Sequence, residues 1–173
     1  MDVSDPTATP APPRPATPDL GPDLPPASPR AFAPALLAPE IEALPWQPIR
    51  PGFSLKVLHG GEREEDTRAL LLRLEPGTVV SRHRHGGEVH ALNLRGSRRI
   101  LETGQIIGPG GYVCEPPGNV DSWVAVGDEP VEIFLTVRGA IEALDERGAV
   151  AARTSTPSIT ADWWAFLGRS GRR

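Results

Sequence analysis

The strongest constraint on how this chain folds is its punctuation. From Phe53 to Val137 every apolar stretch is short and ends in a glycine- or proline-containing turn. Phe53–Leu58 stops before Gly60-Gly61, and Thr67–Leu74 before Glu75-Pro-Gly77. Val79–His85 stops before Gly86-Gly87, Val89–Leu94 before Gly96, and Arg98–Glu102 before Gly104. Gly108-Pro-Gly-Gly111 precedes Tyr112–Glu115, and Pro116-Pro-Gly118 precedes Ser122–Val126. A Gly127-Asp-Glu-Pro turn leads into Val131–Val137. Such runs are strand-length, and Gly and Pro between them supply the special φ values of tight turns. No amphipathic helix interrupts the series, which excludes a βαβ arrangement and predicts an all-β sandwich or barrel.

The flanks differ from this middle. Residues 1–40 are mostly Pro, Ala, Thr and Asp, and proline removes backbone donors that a helix or ladder needs. The expectation is a disordered tail over 1–40, a barrel over 41–150, and an extension over 151–173. Trp46 and Phe53 are expected to anchor one end of the core. A further strand pair is expected around Asp145-Glu-Arg-Gly148, and a short helix over Thr160–Gly168. Thr160 would cap that helix, Asp162 would sit in its first turn, and Trp163, Phe166 and Leu167 would share a face. Exposed sheet edges and the paired tryptophans predict a homodimer or larger assembly.

A formal charge of -4 provides no basic footprint for nucleic acid. No run approaches the roughly 20 apolar residues of a membrane span, and no signal-like segment opens the chain. Cys114 is the single cysteine, so no internal disulfide forms; a reducing cytoplasm is the expected compartment, and Cys114 is read as a small buried apolar residue.

Chemistry concentrates in Gly77–Gly96, which holds three of the four histidines. Residues i and i+2 of a strand point to one side, so His83 and His85 present two imidazoles to one point, as a chelating pair requires. Alternation turns Glu88 and His90 the other way from Val89 unless Gly86-Gly87 forms a bulge. His90 reads as structural or as a subunit contact, and His59 as a surface residue.

Two glycine-bounded segments, Gly77-x5-His83-Arg-His85…Gly96 and Gly110-x5-Pro116-Pro-Gly118-x2-Asp121, resemble the paired motifs of the cupin superfamily, a jelly-roll architecture. The resemblance implies a cupin double-stranded β-helix in which the first motif supplies two His and a Glu and the second a third His. Here Val89 stands at the Glu position and Asp121 at the last His position. That leaves His83, His85 and Asp121 as the implied metal ligands. Two imidazoles and a carboxylate are the donors of non-haem Fe(II) oxygenases; zinc accepts them too, and manganese and nickel remain open. Asp121 has a competing reading as a turn residue bonding its own backbone.

Ser81–His85, Val89–Gly96, Glu115–Gly118 and Val137-Arg-Gly-Ala-Ile…Asp145–Gly148 are similar to the 2,4'-dihydroxyacetophenone dioxygenase family of cupins. That resemblance covers roughly Trp46 to Val150. It implies cleavage of the carbon–carbon bond beside the carbonyl of an aryl hydroxymethyl ketone by O₂, yielding an aryl carboxylate and formate. The expected partners are therefore a small aromatic or α-hydroxy carbonyl substrate and O₂. Relatives carry an acidic residue near Glu102, which implies a catalytic carboxylate there; an ordinary solvated strand residue is the alternative. Asn93, in phase with Val89, is a candidate cavity residue, whereas Val89, Ala91 and Trp123 read as core or pocket wall. A non-catalytic metal- or ligand-binding cupin, a sensor or degenerate enzyme, is the competing functional class.

Overall fold

The computed structural model describes residues 38–170. The expected disordered tail, up to residue 37, and the last three residues of the expected extension lie outside that range. Residues 38–40, expected in the tail, instead open a short helix, α1 (Ala38–Ala43). Lys56 holds the end of this helix, its Nζ donating to the carbonyls of Ile41 (2.8 Å) and Glu42 (3.2 Å) while lying 4.7 Å from the Trp46 ring centroid. A cation at helix-terminal carbonyls is favourable, and the same ammonium lies over the tryptophan face.

Twelve strands follow: β1 (Gln47–Arg50), β2 (Phe53–His59), β3 (Thr67–Leu74), β4 (Val79–His85), β5 (Val89–Arg95), β6 (Ser97–Ile100), β7 (Ile106–Ile107), β8 (Tyr112–Glu115), β9 (Val120–Val126), β10 (Val131–Arg138), β11 (Ile141–Leu144) and β12 (Val150–Thr154). They form two six-stranded sheets, ordered β1-β2-β3-β10-β5-β8 and β12-β11-β4-β9-β6-β7. Pairing within both is antiparallel. Strands distant in sequence become neighbours, which is the double-sheet jelly roll that the turn spacing predicts.

Alternation decides what each sheet contributes. In β10 Val131, Ile133, Leu135 and Val137 are buried, and in β9 Asp121, Trp123 and Ala125 are. The inner faces therefore meet over a core of Leu55, Leu70, Leu74, Ile133 and Trp123. Two glycines answer close approaches. Gly96 takes φ +63° where a Cβ would press on the Pro130 carbonyl, and a Cβ at Gly87 would run into the Arg138 carbonyl oxygen.

The terminal helix is longer than expected, α2 running from Thr156 to Ser170. Its cap is Ser155 rather than Thr160: Ser155 Oγ accepts from the Ser158 N–H (3.3 Å), and Ser158 Oγ accepts from the Ser155 N–H (2.9 Å). This reciprocal capping, with Pro157 in the first turn, starts the helix one turn early. Asp162 consequently lies beyond the first turn. Thr160 is interior, its hydroxyl donating to the Thr156 carbonyl (2.8 Å) and accepting from the Gly61 N–H (3.2 Å). Ile159 and Trp163 are buried, with Phe166 and Leu167 packed beside them, so the apolar face falls as the spacing predicts; Trp164 is 66% exposed. No helix among the described residues is long and apolar enough to cross a membrane.

Candidate metal centre

Strand β4 carries both histidines of the pair, and β9 lies beside it with His83 opposite Asp121. The register slips between Val80 and His83, where β4 holds one residue more than β9. This bulge lets Val80, His83 and His85 all line the interior, although strict alternation would turn Val80 away. The three donors converge: His85 Nε2 is 3.1 Å and His83 Nε2 3.4 Å from Asp121 Oδ1, and the two imidazole centroids are 4.8 Å apart. One ligand atom from each of the three lies within 4.8 Å of the others.

The protonation pattern suits a cation. Nδ1 of His83 faces the Ser81 carbonyl at 3.0 Å and must be the N–H donor there. In the neutral imidazole Nε2 then bears a lone pair aimed at an Asp121 oxygen. Burial holds the His83 pKa below the ordinary imidazole value, against the opposing pull of Asp121, so the neutral form is favoured. A lone pair facing a carboxylate is relieved when a metal ion stands between them. Burial would raise Asp121, but the hydrogen bond from His85 and the nearby imidazole and arginine charges outweigh it and leave its carboxyl below the usual range.

A second carboxylate, which sequence reasoning did not single out, completes the surroundings. Glu115 ends β8 directly opposite Val89, the position where the cupin motif carries its glutamate. Its side chain is buried and places Oε2 3.4 Å from His85 Nε2. The acid absent at residue 89 thus enters from the neighbouring strand. Only strand register reveals this, because Glu115 looks like an ordinary strand end before Pro116-Pro-Gly118.

Glu102, the expected catalytic carboxylate, is placed differently from expectation. β6 ends at Ile100, so Glu102 is in the following turn and exposed. Its carboxylate accepts from the Ser122 N–H (3.0 Å) and Ser122 Oγ (2.7 Å), tying the turn to the residue after Asp121. Glu115 is the inward acid. Asn93 is buried as its phase requires but is spent on structure: its Nδ2 donates to the Ile107 carbonyl (3.1 Å) and its Oδ1 accepts from Arg98 Nε (3.1 Å). Glu88 and His90 face away from the interior, as alternation predicts. Cys114 is exposed, not buried, because β8 turns Val113 and Glu115 inward and Cys114 out.

His83, His85 and Glu115 line a cavity of about 310 Å³ between the sheets, walled also by Leu55, Leu72, Val80, Ala91, Trp123 and Ile133 among others. Arg98 also faces it, buried over the Trp123 ring at 5.0 Å, with Nη2 lacking a hydrogen-bond partner. Such a donor is costly unless a ligand completes it.

Glu115 carries a testable consequence. Burial, and next the Asp121 charge, push its pKa above the carboxylate value. A raised folded pKa means that the stabilising, protonated state is fully present below the unfolded value and is lost as pH rises through the folded one. Metal-free protein at neutral pH therefore bears an unfavourable charge here. Glu115→Gln should raise the Tm of the metal-free chain at pH 7, by about 2–4 °C for each kcal/mol recovered, and flatten its decline above the acid range. Thermal unfolding across pH with a chelator present reads both.

Two antiparallel sheets in jelly-roll order, with the ligands on inner strands, define a cupin. The chain belongs to the ChrR cupin-like domain family, whose sequence pattern matches residues 36–142. No curated protein matches it by sequence. Among solved structures it is similar to an RmlC-like cupin protein from Ralstonia eutropha (TM-score 0.71, 20% identity, covering 79% of this chain and 88% of that one). It is also similar to a cupin-like protein of unknown function from the same organism (0.63, 20%, 70% and 75%). A third similar structure is an acetylacetone dioxygenase from Acinetobacter johnsonii (0.62, 17%, 69% and 85%). Identities this low carry the fold.

Proposed function

We propose that the chain is a non-haem Fe(II) dioxygenase cleaving the carbon–carbon bond beside the carbonyl of an aryl hydroxymethyl ketone. The observation that carries this reading is the convergence of His83, His85 and Asp121 on one point at the wall of an apolar cavity of about 310 Å³. The likeness in fold to an acetylacetone dioxygenase, an enzyme by name of a small carbonyl compound, supports it, as does the resemblance to the 2,4'-dihydroxyacetophenone dioxygenase family.

Iron held by two imidazoles and a carboxylate supplies Lewis acidity, a template for substrate and O₂, and one-electron chemistry. The residues supply the rest. The apolar walls and Trp123 take the aryl group and exclude water. Glu115 Oε2 is the base within reach for the substrate hydroxyl proton, and its buried position favours the protonated form that results. Arg98 Nη2 offers a hydrogen bond to a substrate oxygen. Glu102, through Ser122, positions the β9 segment that bears Asp121. In the overall change O₂ adds one oxygen atom to each fragment, so ketone plus O₂ balances as one aryl carboxylic acid plus formic acid.

A second reading has its own support. Glu115 Oε2 lies 3.4 Å from His85 Nε2, and a turn of its side chain toward the three converging donors would make a closed set of four, which suits a structural zinc ion in a non-catalytic cupin. Iron-loaded protein should consume O₂ with 2,4'-dihydroxyacetophenone and release 4-hydroxybenzoate and formate in equal amounts, each carrying one labelled oxygen from ¹⁸O₂. Absence of O₂ uptake with aryl hydroxymethyl ketones, from protein retaining its metal, would exclude the enzyme and leave the structural ion.

A further inference from the structure

We propose a second metal site on the outer face of the first sheet, built from Glu88, His90 and Cys114 and taking zinc or a similar borderline divalent cation. It is independent of the central site and of the dioxygenase reading.

Strand geometry assembles these donors. Val89 points into the core, so Glu88 and His90 both point out from β5. On β8 Cys114 lies directly opposite His90, and Tyr112, two residues away, shares its face. His90 is fixed on its other side as well, paired with Thr136 of β10. Backbone ladders on both flanks therefore hold the imidazole and the thiol at one spacing. Ligand atoms of Glu88, His90 and Cys114 all lie within 4.8 Å of one another.

The chemistry is that of a zinc site: one thiolate, one imidazole and one carboxylate, with a fourth position open to water because all three residues reach solvent. Tyr112 supplies the outer support such sites use. Its hydroxyl is 2.5 Å from His90 Nδ1 and the two rings stack at 6.0 Å, which orients the imidazole and leaves Nε2 for the ion. His90 Nε2 now lies 2.6 Å from Glu88 Oε1, and a proton or a cation must occupy that contact. Tetrahedral bonds of about 2.0–2.2 Å set neighbouring donor atoms roughly 3.3 Å apart, so Glu88 has to swing outward, which an exposed side chain does freely. Binding releases the thiol proton and the proton between imidazole and carboxylate to solvent.

Cobalt(II) separates this site from the central one. Cys114 is the only cysteine in the chain, and the central donors are nitrogen and oxygen, so a sulfur-to-cobalt charge-transfer band reports the outer site alone. Full-length protein titrated with cobalt(II) should develop that band, and zinc should bleach it. Cys114→Ser and His90→Ala should each abolish it and lower bound metal by about one equivalent per chain. The His83→Ala/His85→Ala double variant, which empties the central site, should keep it. No band in the wild-type protein, or a band that survives His90→Ala, would show that Glu88, His90 and Tyr112 form a surface hydrogen-bond cluster only.

Discussion

Alanine at His85 should abolish metal retention at the central site. Of the four histidines His85 is the one enclosed on every side, 3% exposed, with Nε2 3.1 Å from Asp121 and 3.4 Å from Glu115. Disturbing a residue that merely orients a ligand typically costs about 10–100-fold in affinity, so loss of a direct donor should exceed about 100-fold. His83→Ala should behave alike, and His90→Ala should leave the central site unchanged because its ring lies on the outer face. Competition against a metallochromic chelator ranks the three variants. Acid should release the metal from wild-type protein as the imidazoles protonate. Because burial holds His83 below the ordinary imidazole pKa, this ligand stays neutral, and competent to bind, to a lower pH than a free histidine.

The largest stability loss is expected at Arg68. This side chain is 1% exposed inside an all-β core, and burial alone brings its pKa down to about 10. Its Nη1 donates to the Gly139 carbonyl (2.6 Å) and to Thr156 Oγ1 (2.9 Å), and the Thr156 hydroxyl in turn donates to the Asp66 carbonyl (2.9 Å). One guanidinium thus joins the start of β3, the β10–β11 turn and the first residue of α2. Arg68→Ala leaves acceptors without donors and opens a void. Losses of this kind run to about 3–5 kcal/mol, or roughly 6–20 °C in Tm at about 2–4 °C per kcal/mol. Arg68→Met refills the volume and should recover part of the loss; an equal loss in both variants would assign the whole effect to the hydrogen bonds. Thermal unfolding with denaturant titration distinguishes these outcomes.

Much of the barrel was legible because its signals are local. Thr67–Leu74, Val79–His85 and Tyr112–Glu115 have the expected bounds, since Gly- and Pro-containing turns, or the charged turn before Thr67, mark their ends. The shared orientation of His83 and His85 was legible for the same reason: their phase depends only on a two-residue repeat. What stayed hidden depends on register between distant strands. Glu115 and Arg98 acquire meaning only once β8 lies beside β5 and β6 beside β9. Glu102 was misplaced because β6 ends two residues before it, held by the Gly104 N–H bonding to the Ile100 carbonyl. The bulge between Val80 and His83 breaks the alternation that placed Val80. Cys114 was assigned to the core by residue type, whereas parity with buried Glu115 would have put it outside. In α2, Ser155 and Ser158 cap reciprocally without the acid that usually marks the motif.

The proposed centre requires His83, His85 and Asp121 to close one site across β4 and β9. Iron content after anaerobic reconstitution and desalting tests it most directly, with Asp121→Ala measured in parallel and both proteins carrying Cys114→Ser so that the outer site adds no metal. The prediction is about one iron per chain in the wild-type protein, as one such centre requires, and near-complete loss in the variant with the fold intact by circular dichroism. Folded wild-type protein that stays metal-free after reconstitution with iron and with zinc, or an Asp121→Ala variant that keeps its iron, would contradict it.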